Sequence, residues 1–232
     1  MKKAKNISDI SVANMKKRLD DMSIKGIDPF TRKVFISPGN MKTGSISSVS
    51  LRPVADCGNC KCCSGKCYDM RNDCVYKGVR ATRANNAAIY LNDPKRYFDE
   101  ISDHCRTQVA FRWHIGGDIK DRQYLDGMIR VANENPKCDF LCFTKMFRVV
   151  NEYLDETGGV LPENMQIIFS GWKGLEMDNP YNLPTSHPIF ADGSTSAPDG
   201  AKSCGGNCTE CYKEEKGCWT LKRGEAVLFA AH

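Results

Sequence analysis

The order of apolar and polar positions changes its period along the chain. Apolar residues that recur every three or four positions predict amphipathic helices, whereas short uninterrupted apolar runs predict buried strands. By this criterion, helices are expected at residues 78–93, 94–105, 121–135 and 146–159. Strands are expected to begin near 107, 138, 165 and 187. The last of these, at 187–193, is a weaker candidate, as is a further segment at 226–232.

Strands and helices therefore alternate, with strand starts about 20–30 residues apart, as in βα repeats. Such alternation is typical of βαβ units, which build a parallel sheet. A complete eightfold βα barrel needs about 250 residues, and this chain of 232 residues places about half of them outside the repeat. The pattern predicts an α/β fold: a partial βα barrel or a small parallel sheet, with cysteine-rich cluster-binding loops before and after it.

Charge separates the N-terminus from the rest of the chain. Residues 1–18 contain six Lys or Arg and one Asp, which equals the net charge of +5 of the whole chain. Residues 1–34 are therefore predicted to be a basic arm with one amphipathic helix. A solvated arm is favoured over contact with nucleic acid, because no aromatic stacking platform lies nearby. Residues 35–232 are predicted to form a single domain, with the βα core at 78–192.

The chain contains thirteen cysteines, far more than is usual for its length. The N-terminus lacks the apolar stretch of a secretory signal, and no apolar run is long enough to span a membrane. A cytoplasmic protein is therefore expected, in a compartment that keeps thiols reduced. The odd count also argues against a framework made of disulfides alone, so the clustered thiolates indicate metal binding.

The first cysteine cluster fills residues 57–74. Its spacing is C-x2-C-x2-C-x3-C, the run found in bacterial ferredoxins, and the predicted ligands are Cys57, Cys60, Cys63 and Cys67. Soft thiolates suit the iron corners of a [4Fe–4S] cluster, and one loop carries more thiols than a single tetrahedral zinc ion needs. Cys62 and Cys74 are surplus, either as substitute ligands or as small buried groups.

The second cysteine cluster fills residues 204–218, with the spacing C-x3-C-x2-C-x6-C. Its predicted ligands are Cys204, Cys208, Cys211 and Cys218. Four thiolates fully ligate one [4Fe–4S] cluster, and a four-cysteine zinc site is a real alternative because it needs the same number of ligands. Core packing is expected for the remaining cysteines, which are Cys105, Cys138 and Cys142.

Polar and glycine residues follow the predicted strands, at the edge of the sheet where α/β folds bind ligands. The candidates for binding a cofactor are His114, Gly116, Gly117, Asp118 and Lys145. Asp118 is expected to hold a cationic amine and Lys145 an anion. His114 is expected to donate a hydrogen bond to a cluster sulfide or to a substrate. A purely structural role is the alternative for each of them.

Several short motifs occur in an order that resembles a known family. They are GNMKTG at 39–44, VSLRP at 49–53, FRWHIGGD at 111–118, FTK at 143–145 and LFAAH at 228–232. Over roughly residues 35–232, the chain is similar to the phage "gene product eighty-eight" family. The resemblance implies a phage or prophage protein, and it implies no particular reaction.

The first cysteine cluster also resembles that of radical S-adenosylmethionine (SAM) enzymes, which place a three-cysteine loop at the top of a partial α/β barrel. Residues 63–68 match the first half of that loop, and residues 116–118 are similar to the glycine motif that holds the amino group of SAM. Met70 stands where the third cysteine is expected, so an open-cornered cluster would take its third thiolate from Cys57 or Cys60. The second cysteine cluster resembles an auxiliary cluster of such enzymes.

The sequence predicts an iron–sulfur protein with two [4Fe–4S] clusters, to which the resemblance adds SAM as a cofactor and radical chemistry as an activity. One alternative is a non-catalytic, ferredoxin-like electron carrier. Another is a zinc-stabilised module that binds nucleic acid. The expected partners are an unidentified small or macromolecular substrate and a redox partner, with nucleic acid not favoured and no membrane.

Overall fold

A computed structural model of the protein describes residues 17–18, 23–58 and 67–230. The helix predicted around residues 12–22 lies almost wholly outside the described residues, as do Cys60, Cys62 and Cys63 of the first cysteine cluster. The βα core and the second cysteine cluster are described throughout.

Seven parallel strands form one sheet. They are β1 (Ser47–Val49), β2 (Ala110–Trp113), β3 (Asp139–Thr144), β4 (Met165–Ser170), β5 (Thr185–Ile189), β6 (Lys202–Ser203) and β7 (Ala226–Ala230). Their order across the sheet is β1-β2-β3-β4-β5-β7-β6, so all but the last two follow the chain. Because crossovers between parallel strands are right-handed, a sheet that grows in one direction carries its helices on one face. The predicted α/β fold with a parallel sheet is confirmed.

The sheet is open rather than closed into a barrel. Its edge strands are β1 and β6, and within the described ranges no ladder pairs one with the other. The order of β1–β5 is nevertheless that of an incomplete βα barrel, in which neighbours in sequence are neighbours in the sheet. This arrangement agrees with the predicted partial barrel or small parallel sheet.

Six α-helices have defined bounds in the described part of the chain. They are α1 (Tyr68–Val75), α2 (Lys77–Asn92), α3 (Pro94–Cys105), α4 (Arg122–Glu134), α5 (Phe147–Glu156) and α6 (Cys208–Lys213). The four predicted helices correspond to α2–α5, whereas α1 and α6 were not predicted. The Asp93 carboxylate caps α3 by accepting a hydrogen bond from Arg96 N at 3.0 Å, with Pro94 in the first turn as expected. None of these helices is both long and apolar enough to cross a lipid bilayer.

The strand predicted from residue 107 is shorter than expected, because β2 ends at Trp113. The next residue, His114, has a φ of 55°, in the left-handed region that an extended strand does not use. Its backbone N–H still donates to Val49 O at 3.0 Å, so the chain turns away directly beside the end of β1. The residues after His114 therefore form a loop over the edge of the sheet.

One face of the sheet packs against the helices. Phe111, Trp113 and Phe140 point to this face and are fully buried together with Tyr97 and Tyr124 of the helices. The two tyrosine hydroxyl groups are 2.9 Å apart and satisfy each other inside the core. The three remaining cysteines lie in this core, as predicted: Cys105, Cys138 and Cys142.

The opposite face of the sheet is covered by the end of the chain. Leu141, Ile168 and Val227 point to this face and pack against Leu221, with Cys218 and Trp219 at the margin. The Gln166 side chain fixes the cover by donating to Leu221 O at 2.8 Å. The second cysteine cluster therefore sits on the face that the helices leave free.

Candidate functional site

The second cysteine cluster connects the two edges of the open sheet. On one side, Cys204 directly follows the edge strand β6, and its N donates to Leu228 O of the neighbouring β7 at 2.7 Å. On the other side, Cys208 N donates to Lys42 O at 2.8 Å, in the segment just before the edge strand β1. The Thr209 hydroxyl reinforces this second contact by donating to Thr43 O at 2.8 Å. The cluster thereby spans the gap that no strand pairing closes.

Helix α6 arranges two of the four thiols. The Asn207 side chain caps it by accepting hydrogen bonds from the backbone N–H groups of Thr209 and Glu210, at 3.0 and 3.2 Å. Cys208 and Cys211 are three residues apart on this helix, which places them on one side of it. Two glycines leave room around Cys211: a Cβ at Gly205 or Gly217 would lie 3.0 or 3.3 Å from its sulfur.

The four thiols are close enough to act on one another electrostatically. The pKa of Cys218 is raised to about 12, mainly by burial and then by the charge of Cys204, with smaller increases from Cys208 and Cys211 and an opposing effect of Arg112. Burial likewise raises the pKa of the Cys211 thiol, with Cys204 and Cys208 raising it further. Without a metal, these sulfurs therefore resist becoming thiolates together, and a bound cation would relieve that repulsion.

Hydrogen-bond donors point at two of the sulfurs. The Arg112 guanidinium donates from Nη1 to Cys208 Sγ at 3.3 Å, and the Gly206 backbone N–H donates to Cys204 Sγ at 3.4 Å. Such bonds favour the thiolate form of cysteine. A metal centre that uses four soft sulfur donors therefore fits the residues present.

The spacing of the thiols bears on the kind of metal. Within the described ranges, no three His, Cys, Asp or Glu side chains are placed to hold a single metal ion. A zinc ion needs all four sulfurs about 2.3 Å from one centre. In a [4Fe–4S] cluster each thiolate binds a different iron, so the sulfurs are farther apart. Four cysteines can serve either kind of centre, so the ligand set alone does not choose between zinc and a [4Fe–4S] cluster.

The described part of the first cysteine cluster lies at the carboxyl edge of the sheet. The Tyr68 hydroxyl, next to Cys67, donates to Ile115 O at 2.7 Å in the loop after β2. Next to Cys57, Gly58 lies so close to the loop after β3 that a Cβ would be 2.5 Å from Met146 Sδ. Cys57 is buried and its sulfur accepts a hydrogen bond from Val54 N at 3.1 Å. Two of the four predicted ligands therefore lie where α/β folds bind ligands.

His114 lies inside the helix-side core. Its Nε2 is 3.1 Å from the Tyr124 hydroxyl, and its Nδ1 is 4.0 Å from Cys142 Sγ. Burial lowers the pKa of His114 to about 3, so the ring is neutral at pH 7. Both ring nitrogens face core residues, and the expected hydrogen bond to a cluster sulfide or a substrate stays a prediction.

His114→Asn is expected to make stability less sensitive to acid. The unfolded histidine binds a proton near its ordinary pKa of about 6.5, whereas the folded one stays neutral to about pH 3. Between those values the unfolded state binds more protons, so the free energy of unfolding falls by up to about 1.4 kcal/mol for each pH unit of acidification. Asn tolerates the positive φ and does not titrate.

The measurement is urea unfolding of wild type and His114→Asn at several pH values between 4 and 7. All other acid-labile groups are shared, so the difference between the two curves isolates this histidine. We expect that difference to shrink steadily as the pH falls below about 6.5. Parallel curves would show that His114 is protonated in the folded protein and contradict the prediction.

The predicted glycine motif and its neighbours lie in tightly packed surroundings. Gly116 packs against the buried ion pair formed by Arg83 Nη2 and Asp69 Oδ1, 2.5 Å apart, and Gly117 turns beside Leu51 with a φ of 82°. The two residues therefore shape the loop by close backbone packing, and their expected contact with a cofactor stays a prediction.

Asp118 ties two strand ends together. Its carboxylate accepts hydrogen bonds from the Thr144 hydroxyl at 2.6 Å, from Lys145 N at 2.9 Å and from Ile119 N at 2.7 Å. Burial raises its pKa to about 6, and these hydrogen bonds oppose the rise. The Lys145 ammonium lies 5.7 Å from the centre of the Trp172 ring. The predicted roles of Asp118 for an amine and of Lys145 for an anion are untested.

Sequence reasoning missed two charged features of these sites. The Asp69–Arg83 pair brings together α1 and α2 under the loop after β2, and no motif marks either residue. Arg112 was also missed, although it left a signal: it is the one charged residue in the apolar strand Ala110–Trp113. A charge at such a position requires a partner once the strand is buried.

Comparison with known proteins places the chain in a family. Residues 13–186 match the family described as Gene product 88, which is three quarters of the chain. The chain belongs to this phage protein family. The match covers the first cysteine cluster and β1–β4, begins within the predicted arm, and ends before the second cysteine cluster. Its bounds therefore differ from the resemblance expected over residues 35–232.

The other two comparisons found no match. No curated protein and no solved structure is similar to the chain at the threshold used. The family is thus supported, whereas the resemblance to radical SAM enzymes gains no support.

Proposed function

We propose that the protein binds iron–sulfur clusters and that the second cysteine cluster fully ligates one [4Fe–4S] cluster. The main support is one observation: the Arg112 guanidinium donates a hydrogen bond to the sulfur of Cys208, in a segment that also carries Cys204, Cys211 and Cys218. Soft thiolates select iron–sulfur clusters or zinc over hard cations. When bound, the cluster supplies one-electron chemistry, and the chain holds it with four sulfurs and two N–H donors.

Zinc is the main rival at this site. Four cysteines are a common zinc ligand set. Against it stand the hydrogen bonds aimed at two of the sulfurs, from Arg112 Nη1 to Cys208 and from Gly206 N to Cys204. Hydrogen bonds to sulfur are one of the means by which proteins set cluster potentials.

We propose a second cluster at the first cysteine cluster, held by Cys57, Cys60, Cys63 and Cys67. Its support is the ferredoxin spacing and the position of Cys57 and Cys67 at the carboxyl edge of the sheet. Reduced thiolates of this kind persist in a reducing compartment, so we place the protein in the cytosol of the host cell. A redox partner would then supply or accept its electrons.

A radical-SAM-like enzyme is the second candidate function. The observation that favours it is the contact between the first cysteine cluster and the glycine loop, made by Tyr68 and by Asp69 beside Gly116. An iron without a cysteine ligand would bind SAM there. Adding SAM to the reduced protein should then change the spectrum of one cluster and release a cleavage product. If neither change occurs, electron transfer is the function that remains.

The test of the main proposal is metal analysis of protein isolated without oxygen. Two [4Fe–4S] clusters predict about eight iron atoms and eight sulfides for each chain, with a brown absorption spectrum. One filled site predicts about half of each. Colourless protein without iron or acid-labile sulfide would end the proposal. Zinc at about one ion for each chain, with four irons, would assign zinc to one of the two sites.

A further inference from the structure

We propose that Arg112 sets the reduction potential of the iron–sulfur cluster bound by the second cysteine cluster. The inference rests on the proposed function and assigns a task to a residue outside the ligand set. Arg112 lies on β2, the second strand of the sheet, and its side chain reaches the second cysteine cluster. Its Nη1 donates to Cys208 Sγ at 3.3 Å.

Among the described residues, Arg112 has no acidic partner that would explain its charge. None of the ion pairs found among the described residues includes it. Its Nε is buried and lacks a hydrogen-bond partner. Arg112 is half-buried, and a charge drawn out of water without a nearby anion is destabilising. The anion that remains is the group of thiolates above it.

The side chain is held in one place. Its guanidinium carbon lies 4.9 Å from the centre of the Phe143 ring on the neighbouring strand, a stacking contact that suits arginine and not lysine. The strand below is rigidly paired on both sides, with Arg112 opposite Leu141 of β3 and Ser48 of β1. The donor is therefore carried by a strand with a paired neighbour on each side.

The direction of the effect follows from charge. Reduction adds one electron from an external donor to a cluster that is already negative, and no bond to the protein forms or breaks. A fixed positive charge and an N–H···S hydrogen bond stabilise the more negative, reduced form. Removing Arg112 should therefore make the cluster harder to reduce.

The experiment is a redox titration of anaerobic protein, followed by electron paramagnetic resonance. Arg112→Met removes the charge and the donor, and Arg112→Lys keeps a charge and N–H donors but loses the planar guanidinium that lies against Phe143. We expect Arg112→Met to shift the reduction equilibrium about tenfold toward the oxidised cluster, which is about 59 mV for a one-electron couple. Arg112→Lys should give a smaller shift in the same direction. The affected signal should be the one that Cys211→Ala removes.

The matched control is Arg148→Met, which removes an arginine side chain that is 87 % exposed on α5. It should leave both potentials unchanged. If Arg112→Met does not load the cluster, Arg112→Gln replaces it in the test, because Gln retains an N–H donor without the charge.

The outcomes separate this inference from the proposed function. A wild-type protein without iron and sulfide, or with zinc at the second cysteine cluster, overturns both. A wild-type protein with two clusters and an Arg112 variant of unchanged potential overturns the role of Arg112 alone. A shift confined to the second cluster supports it, whereas an equal shift of both clusters would indicate a general change of structure and count against it.

Discussion

Cys211→Ala is expected to remove one of the two clusters and about half of the iron. The Cys211 sulfur lies between Gly205 and Gly217, and it interacts electrostatically with Cys204 and Cys208. Without it the site keeps three thiolates, and a cluster that needs four loses a corner ligand. Metal binding and folding are coupled. The free energy of unfolding of the segment that covers the free face of the sheet should therefore fall as well.

The measurement is iron and sulfide content after anaerobic purification, with thermal unfolding of the same samples. Cys211→Ala should keep the spectrum of the first cluster, and Cys67→Ala should give the reciprocal loss. The second cysteine cluster covers Leu141, Ile168 and Val227, so its release should also expose these residues to a hydrophobic dye.

Cys105→Ala is the matched control for Cys211→Ala. It deletes the same sulfur atom from a cysteine that is only 1 % exposed in the helix-side core. We expect full metal content and a loss of about 1 kcal/mol in the free energy of unfolding, from packing alone. Equal iron in Cys105→Ala and Cys211→Ala would contradict the assignment of ligands.

The parts of the fold that could be predicted are those with an apolar period. Helices α2–α5 and strands β2–β4 carry apolar residues at regular intervals, and their centres were located correctly. The helix-side core follows from the same pattern, since each strand of a parallel sheet buries alternate residues against the helices.

The parts that could not be predicted use buried polar groups instead. Helix α1 buries Asp69, Met70 and Asp73, so its sequence lacks an apolar stripe. Strand β1 buries Ser47 and Ser48, and the Ser47 hydroxyl is satisfied 3.0 Å from His104 Nε2 of α3. Such pairings are decided by contacts between residues distant in sequence, and periodicity does not record them.

The candidate sites divide in the same way. Cysteine spacing is local, and it predicts the four thiols of residues 204–218 as one ligand set. Arg112 is 96 residues from the cysteine it contacts, so only the fold reveals their contact. His114 and Asp118 were selected correctly as residues at strand ends, but their partners are core and loop groups that the sequence does not specify.

Gly116→Ala is expected to destabilise the protein strongly and to weaken the first cluster. The glycine's φ is not in the left-handed region, so the effect is steric: a Cβ would overlap Asp69 Oδ2 and lie 2.7 Å from Arg83 Nη2. These two residues are 3 % and 6 % exposed and form a buried ion pair. Disrupting such a pair costs about 3–5 kcal/mol.

Loss of the pair should reach the metal site because Asp69 is two residues beyond Cys67 in the first turn of α1. We expect a lower urea midpoint and less iron, with the second cluster retained. The matched control is Gly78→Ala on α2, where a Cβ meets nothing within 4 Å; it should raise the stability by about 0.5–1 kcal/mol through helix propensity. The prediction is contradicted if Gly116→Ala is as stable and as rich in iron as Gly78→Ala. The loop after β2 would then be free to move aside. Its close packing against the first cysteine cluster would have no consequence for metal binding.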